Sequence, residues 1–314
     1  VPSRRLGRSL GINNIPPKEC SYACIYCQLG NTIKLEVERR EFYSTEKIVE
    51  EVRELISKVD SKLNKIDYLT IVPDGEPTLD INLGKTIKAL KQFNIKIAVI
   101  TNSSLLDNEN VRKDLLNADW VSVKVDSVSE VIWHKIDRPH GKLNFKSILN
   151  GIKLFSEEFS NYFAVETMLV KGLNDSVEEL EAISDFVKTL NPDRAYLSIP
   201  TRPPAEEWVE APDEEKLIKA HQIFTQNGLN TELNTGYEGN EFSSTGNLSE
   251  DILNITAVHP MRKDAIEDLI KKDNGKWEDI NYLVKSGKLI RIEFDGNTFF
   301  LRNLKEWRKT TMKK

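Results

Sequence analysis

The sequence has no long apolar run and only three cysteines among its 314 residues. No stretch approaches the roughly 18 to 20 apolar residues that a membrane span needs, and the first residues lack the pattern of a signal peptide. We therefore expect a cytoplasmic protein without a membrane partner. A formal net charge of -5 argues against a protein that wraps nucleic acid with its whole surface. With 39% hydrophobic and 30% charged residues, the chain can bury a sizeable core.

All three cysteines lie in one short segment, Cys20-Ser-Tyr-Ala-Cys24-Ile-Tyr-Cys27. Their odd number, the shortness of the segment and the missing export signal argue against a disulfide framework. A structural zinc site would need a fourth ligand from a histidine or a carboxylate far along the chain. An iron-sulfur cluster fits better, because thiolates are its usual ligands and three of them on a cubane leave one iron open.

The spacing CxxxCxxC, with Tyr26 before the last cysteine, resembles the signature of the radical S-adenosylmethionine (SAM) enzymes. The resemblance implies that Cys20, Cys24 and Cys27 hold a 4Fe-4S cluster, whose open iron chelates the amino and carboxylate groups of SAM. It further implies that an electron passed through the cluster cleaves SAM into methionine and a 5'-deoxyadenosyl radical, which abstracts hydrogen from a substrate. A low-potential electron donor, a flavodoxin or a ferredoxin, is then the expected partner.

Short apolar runs alternate with helical patterns through the first two thirds of the chain. The six runs predict strands at residues 6–12, 66–72, 95–100, 120–125, 163–170 and 195–199. Such alternation implies parallel strands with right-handed crossovers. We predict an α/β fold, a partial (β/α)6 TIM-like barrel. An open doubly wound sheet is the alternative, but no GxGxxG turn opens any of the predicted helices.

Two loops at predicted strand ends add to the resemblance, and strand ends are where barrel enzymes carry their chemistry. Gly75-Glu76-Pro77 resembles the family's glycine-glutamate-proline segment, whose backbone meets the methionine amino group of SAM; Asp74 stands where a first glycine is more usual. Thr101-Asn102-Ser103 resembles the family's Thr-Asn-Gly turn. Its alternative role is to cap the helix that follows.

Charged residues at the ends of later strands are further candidates. Asp126 resembles the family's Ser-x-x-Asp edge, although Lys124 and Asp126 could simply pair with each other. Glu166 lies inside an apolar strand and needs a partner, either a structural hydrogen bond or a contact to SAM or substrate. Arg138 and Arg202 follow the fourth and sixth strands, where they could bind a substrate phosphate or carboxylate or belong to solvated loops.

The N-terminal segment, together with these motifs, resembles one branch of the family. It reads Pro2-Ser3-Arg4-Arg5-Leu6-Gly7-Arg8 and, with Arg138-Pro139-His140 and Arg202-Pro203-Pro204, looks like the iron-sulfur oxidoreductases that include relatives of the tRNA wyosine-base synthase. Because no cysteine is left over, the chain cannot build a second cluster.

The last quarter of the sequence predicts a separate small unit. Residues 1–233 form the predicted radical SAM core, residues 234–248 a linker rich in Gly, Ser, Thr and Asn, and residues 249–314 three helical patterns followed by a hairpin. This order resembles a winged helix. The stretch from Arg302 is basic and could meet RNA phosphates, although a solvated tail is the simpler interpretation.

The sequence leaves the substrate open. The hypotheses are base modification of tRNA or a nucleotide, modification of a protein or peptide, and a non-catalytic iron-sulfur redox regulator that binds DNA. The C-terminal unit would present the tRNA or protein substrate in the first two cases.

Overall fold

Seven parallel strands form the main sheet in the computed structural model of the chain, which describes residues 2–3, 5–58, 66–72, 74–234, 242, 244, 246–258, 260–294 and 296–303. The strands are β1 Gly7–Ile12, β2 Tyr68–Ile71, β3 Lys96–Ile100, β4 Trp120–Lys124, β5 Tyr162–Met168, β6 Arg194–Ser198 and β7 Thr231–Asn234. A short strand, Pro2–Ser3, pairs antiparallel with β1.

The strands are neighbours in the order in which they occur in the chain. A doubly wound sheet would reverse its strand order at a switch point. The continuous order and the parallel pairing therefore confirm the predicted α/β fold, a partial TIM-like barrel. The sheet has one strand more than the six predicted, because β7 pairs with β6 from Thr231 opposite Ala195 to Asn234 opposite Ser198. Asn234, expected in the linker, is thus the last residue of this strand.

Helices connect the strands. They are α1 Thr45–Lys58, α2 Leu83–Leu90, α3 Glu109–Leu115, α4 Glu130–Ile136, α5 Phe145–Glu158, α6 Val177–Thr189 and α7 Glu214–Gln226, with 3-10 turns at Pro77–Leu79 and Lys91–Phe93. The prediction of one helix between the fourth and fifth strands is wrong, because α4 and α5 are separate. Pro139 has no backbone N–H for a helix and disfavours a helical residue before it, and Arg138 has a φ of 44°.

Strand alternation determines what each face of the sheet contacts. On β4, Val121 and Val123 belong to the buried core between sheet and helices. The residues between and beyond them point to the barrel interior, since successive side chains of a strand face opposite sides. Lys124 therefore borders the interior, opposite Glu166 of β5.

Residues after 246 form a smaller α/β unit with its own core. Its helices are α8 Leu248–Val258, α9 Lys263–Lys272 and α10 Trp277–Lys285, and its strands are β8 Met261–Arg262, β9 Leu289–Phe294 and β10 Asn297–Arg302, in the antiparallel order β8-β10-β9. Ile252, Ile266 and Ile280 are fully buried at its centre. No helix in the described part of the chain is long and apolar enough to cross a membrane.

Two predictions fall mostly outside the described residues. Much of the predicted linker and all of the basic tail beyond Asn303 lie there. Arg302, the first residue assigned to that tail, donates a hydrogen bond from Nη1 to the carbonyl of Leu253 at 3.2 Å. This arginine therefore contacts its own unit, and its charge also interacts with the carboxyl group of Asp74.

Candidate functional site

A cavity of about 280 Å³ opens at the carboxyl ends of the main-sheet strands. This is close to the lower end of the usual range for small-molecule pockets. Most of the predicted site residues border it, namely Cys20, Cys24, Tyr26, Cys27, Gly75, Glu76, Thr101, Asn102 and Glu166. The strand order explains this convergence, because all these loops and strand ends lie at one edge of a parallel sheet.

The cysteine loop, residues 20–30, is held by a segment far along the chain. The N–H of Ala23 donates to the carbonyl of Asp137 at 2.9 Å, and the N–H of Ile25 donates to Ile136 at the same distance. Glu206 donates from its backbone N–H to the carbonyl of Ile25 at 3.0 Å. The loop is therefore fixed by backbone hydrogen bonds on two sides.

Each cysteine sulfur has a polar contact within the protein. Asn102 Nδ2 lies 3.5 Å from the Sγ of Cys20, Cys24 Sγ donates to Asp137 Oδ1 at 3.3 Å, and Lys18 Nζ lies 3.3 Å from Cys27 Sγ. The three cysteines thus border one cavity, and each sulfur has a polar neighbour of a different kind: an amide, a carboxyl group or an ammonium group.

Burial makes the free thiolates unfavourable. Desolvation, reinforced by the charge of Glu76, raises the pKa of the Cys20 thiol to about 12. Desolvation and the charge of Asp137 raise the pKa of Cys24 well above its ordinary value. A metal centre that binds thiolates must therefore displace these protons, and its binding energy compensates for burying the charge.

The three cysteines have the donor chemistry that an iron-sulfur cluster requires. Among the described residues, no three His, Cys, Asp or Glu side chains are grouped closely enough to hold one metal ion. The four-ligand zinc alternative has no supporting geometry in this part of the chain. Three cysteines bordering one cavity provide the donor set for a cubane with one open iron.

The Gly75 loop, residues 74–76, is packed tightly against the segment that precedes the cysteines. A Cβ on Gly75 would lie 1.9 Å from the carbonyl oxygen of Glu19, so only glycine fits. Lys18 donates from its N–H to the carbonyl of Asp74 at 2.6 Å, and Glu76 donates from its N–H to Glu19 at 3.2 Å. The loop backbone is thereby fixed beside the cysteine loop.

Glu76 joins this loop to the Thr101 turn, residues 101–104. Its buried carboxylate accepts hydrogen bonds from the Thr101 hydroxyl at 2.6 Å and the Asn102 N–H at 2.7 Å, and two more from Thr78. Burial raises the pKa of Glu76, while these donors oppose the shift. The carboxylate therefore orders the turn that brings Asn102 to Cys20.

Three predicted site residues do not border the cavity. Pro77 begins the 3-10 turn that follows Glu76, and Ser103 accepts a hydrogen bond from the Lys124 N–H at 2.7 Å. Ser103 has a φ of 71°, a conformation that favours glycine and agrees with its place in a Thr-Asn-Gly-like turn. Asp126 accepts hydrogen bonds from the Tyr26 hydroxyl and the Met168 N–H. These three residues lie behind the residues that line the cavity and stabilise their positions.

A buried ion network borders the cavity at the ends of β4 and β5, where Lys124 Nζ also lies 4.9 Å from the centroid of the Tyr26 ring. Arg5 Nη1 lies 2.5 Å from Glu166 Oε2, and Lys124 Nζ lies 3.5 Å from Glu166 Oε1. Burial raises the pKa of Glu166, but the charges of Arg5 and Lys124 outweigh it and hold that pKa below its usual range. The simple pairing considered for Lys124 and Asp126 is not what the contacts show, since Lys124 contacts Glu166.

Sequence reasoning missed three residues near the cysteines. Lys18 and Asp137 carry no local motif, and only the fold brings them to Cys27 and Cys24. Asp74 borders the cavity with both carboxylate oxygens buried and no hydrogen-bond partner among the described residues, and burial raises its pKa to about 7. The sequence signal for Asp74 is that an acidic residue stands where the family more usually has a glycine.

The two arginines predicted to bind a substrate phosphate or carboxylate contact other residues of the protein. Arg138 pairs with Glu206, and Arg202 donates from Nη1 to Gln28 Oε1 at 2.6 Å. Arg202 borders the cavity and Arg138 does not. Together they fasten the loop after β6 to the cysteine loop and to the segment after α4.

Comparisons with known proteins agree with these features. A model of the radical SAM superfamily matches residues 14–187. UPF0026 protein MJ1312 of Methanocaldococcus jannaschii is 49% identical over 307 residues, 97% of this chain and 95% of that protein. A UPF0026 protein of Helicobacter pylori J99 is 35% identical over 233 residues, 71% of this chain and 72% of that protein.

A solved structure shows the same fold in its core. Streptococcus suis SuiB bound to S-adenosylmethionine matches with a TM-score of 0.54 and 16% identity, over 73% of this chain and 51% of SuiB. The likeness therefore spans about half of that protein.

Proposed function

The chain belongs to the radical SAM superfamily and to the UPF0026 family, and on this basis we propose that it cleaves SAM reductively at a 4Fe-4S cluster held by Cys20, Cys24 and Cys27. When bound, the cluster supplies the electron that breaks the sulfonium bond, which gives methionine and a 5'-deoxyadenosyl radical for hydrogen abstraction.

One observation carries this proposal. The three cysteines, the Gly75 loop and the Thr101 turn border the same cavity at the carboxyl edge of the sheet. A small ligand in that cavity would contact the metal centre with one end and the two loops with the other. The proposed binding mode therefore requires no rearrangement of the cysteines or of the two loops.

The chain's own residues have distinct tasks in this proposal. Gly75 allows the loop backbone to approach the amino group of SAM, because a side chain there would clash with Glu19. Glu76 orders Thr101 and Asn102, which offer a hydroxyl and an amide to the cofactor. Tyr26, held by Asp126, forms part of the wall next to the cysteines.

We assign the substrate to the part of the cavity that the ends of strands β4, β5 and β6 border. Lys124, Glu166, Met168 and Ser198 lie there, on the neighbouring strands β4, β5 and β6. Lys124, Glu166 and Arg5 are charged groups in this part of the cavity that can orient a polar substrate. Two substrate classes follow from the sequence: a base of tRNA or of a nucleotide, and a protein or peptide.

We also propose the setting of the reaction. A cytoplasmic flavodoxin or ferredoxin delivers the electron, and the C-terminal unit, with three helices before its hairpin, acts as a winged-helix-like module that presents the substrate. The 1–233 core then carries the chemistry and residues 249–314 carry recognition.

The first experiment tests the chemistry. The protein is reconstituted with iron and sulfide without oxygen, reduced with dithionite and supplied with SAM, and 5'-deoxyadenosine is measured. Cys24→Ala should lose the cluster and all product, whereas Glu109→Gln on the exposed face of α3 should retain both. A fully loaded protein that yields no 5'-deoxyadenosine would contradict the proposal and favour the redox regulator.

The second experiment tests the substrate class. The same assay is run with and without bulk tRNA, and the RNA is digested and examined for a mass change. Product that rises with tRNA, together with a modified nucleoside, supports RNA modification. Product that is indifferent to tRNA directs the search to polypeptides.

A further inference from the structure

Lys18 is a buried cation beside the cysteine loop. Its side chain is almost fully enclosed, with 3% of the residue exposed, and its backbone has a φ of 64°. A lysine is seldom buried, and a non-glycine residue seldom adopts this conformation, so both features cost free energy. The surrounding contacts must compensate for that cost.

The contacts of Lys18 fix it in place. Its Nζ donates to the carbonyl of Gly30 at 2.5 Å and to the sulfur of Cys27 at 3.3 Å. Its backbone N–H donates to Asp74, and its carbonyl accepts from the N–H groups of Ile33 and Lys34 at 3.0 and 3.1 Å. Lys18 therefore connects the Gly75 loop to the end of the cysteine loop.

The chemistry of these contacts differs from that at the other two cysteines. Cys20 meets a neutral amide and Cys24 meets a carboxyl group, whereas Cys27 meets an ammonium group. The Gly30 carbonyl occupies one of the three N–H donors of the ammonium group, and another points to sulfur. A positive charge in a buried site interacts strongly with a thiolate ligand, because water does not screen it.

We propose that Lys18 tunes the reduction of the cluster by a charge-assisted hydrogen bond to Cys27, and that it thereby raises the cluster's reduction potential. Hydrogen bonds to the sulfurs and local charge are principal determinants of that potential. Lys18 acts through Cys27 and is a positioning residue. The inference rests on the proposed function, because it requires the cysteines to hold the cluster.

The test compares reconstituted wild type with Lys18→Met, Lys18→Gln, Lys18→Arg and, as a control, Lys34→Met. Lys34 lies near the same loop, but its side chain is 43% exposed and its ammonium group pairs with Glu36. The midpoint potential of each protein is measured without SAM, by a redox titration followed by electron paramagnetic resonance, and iron and sulfide are quantified.

Lys18→Met should make one-electron reduction of the cluster about tenfold less favourable, which corresponds to a midpoint potential lower by about 59 mV. Lys18→Gln, which can still donate but carries no charge, should also lower the potential. Lys18→Arg should restore most of the wild-type value, and Lys34→Met should leave it unchanged.

The outcomes separate this inference from the proposed function. A wild type that assembles no cluster refutes the proposed function. A wild type that assembles one, together with neutral variants at the wild-type potential, refutes only the role of Lys18. If Lys18→Met fails to load, Lys18→Gln decides the question by the same comparison.

Discussion

Arg5 and Glu166 form a buried ion pair, 2.5 Å between Nη1 and Oε2, although they are 161 positions apart in the chain. Lys124 approaches the other oxygen of the same carboxylate. One carboxylate therefore neutralises two buried cations at the edge of the cavity. Its removal should lower the free energy of unfolding.

The first prediction follows from this network. Glu166→Gln should lower the free energy of unfolding by about 3–5 kcal/mol, because it leaves Arg5 and Lys124 buried without their counter-charge. Glu109→Gln, which breaks an exposed pair with Lys113 on α3, is the matched control and should have no measurable effect. Urea unfolding of the two variants tests the difference, and equal losses would contradict the role of the buried network.

The second prediction concerns the Gly75 loop. Gly75→Ala should destabilise the protein by about 1–3 kcal/mol and abolish measurable SAM binding, since the added methyl would lie against the backbone of Glu19. Gly141→Ala, at a position with open space, should change neither. Thermal unfolding and a SAM titration of the reconstituted protein are the measurements. Normal SAM affinity in Gly75→Ala would show that the loop does not line the cofactor site.

The third prediction concerns the carboxylate that orders the Thr101 turn. Glu76→Gln should cost about 1–3 kcal/mol, because an amide nitrogen would face N–H and O–H donors that now bond to the carboxylate. It should also weaken SAM binding and slow cluster assembly, since Asn102 would lose its anchor. Glu51→Gln, on the exposed side of α1, is the control. A variant that loads and binds SAM as the wild type does would contradict the assigned role of Glu76.

The fourth prediction is a pH dependence that arises from Asp74. Burial raises its pKa from 3.8 to about 7 in the folded protein. Between these values the folded protein retains a proton that the unfolded chain has released, so Asp74 makes the fold less stable as pH rises.

Asp74→Asn removes this titration. Its stability relative to wild type should increase by about 1.4 kcal/mol per pH unit between roughly pH 4 and 7, and level off above that range. Urea unfolding of the cluster-free protein at several pH values measures the difference, with the exposed Asp107→Asn as control. A difference that does not vary with pH would show that the carboxyl of Asp74 titrates normally.

Local signals in the sequence account for much of the fold. Short segments rich in apolar residues marked six strands of the main sheet. The seventh, Thr231–Asn234, escaped because it has one apolar residue and all four residues are only partly buried, as suits an edge strand. Pro139 signals the break between α4 and α5, whereas the apolar residues on both sides of it predict one continuous helix.

The site divides in the same way. Cysteine spacing and the Gly75 loop are short motifs, so their place at the cavity could be predicted from the sequence. The contacts of Lys18 and Asp137 with the sulfurs depend on how distant segments pack, and no local pattern contains them. The resemblance to the family's Ser-x-x-Asp edge predicts a cofactor contact for Asp126, but Asp126 does not border the cavity and its carboxylate accepts a hydrogen bond from Tyr26.

The hydrogen bonds from the cysteine loop to distant residues impose a sequence of events during synthesis. Cys24 precedes its partner Asp137 by 113 positions, and the separation between Ile25 and Glu206 is larger still. At a synthesis rate of about 5–20 residues per second, the cysteines leave the ribosome on the order of ten seconds before the segment that fixes their loop. The proposed metal site is thus completed only after most of the barrel has been made, and we therefore expect the cluster to be inserted into a folded pocket and not into a nascent peptide.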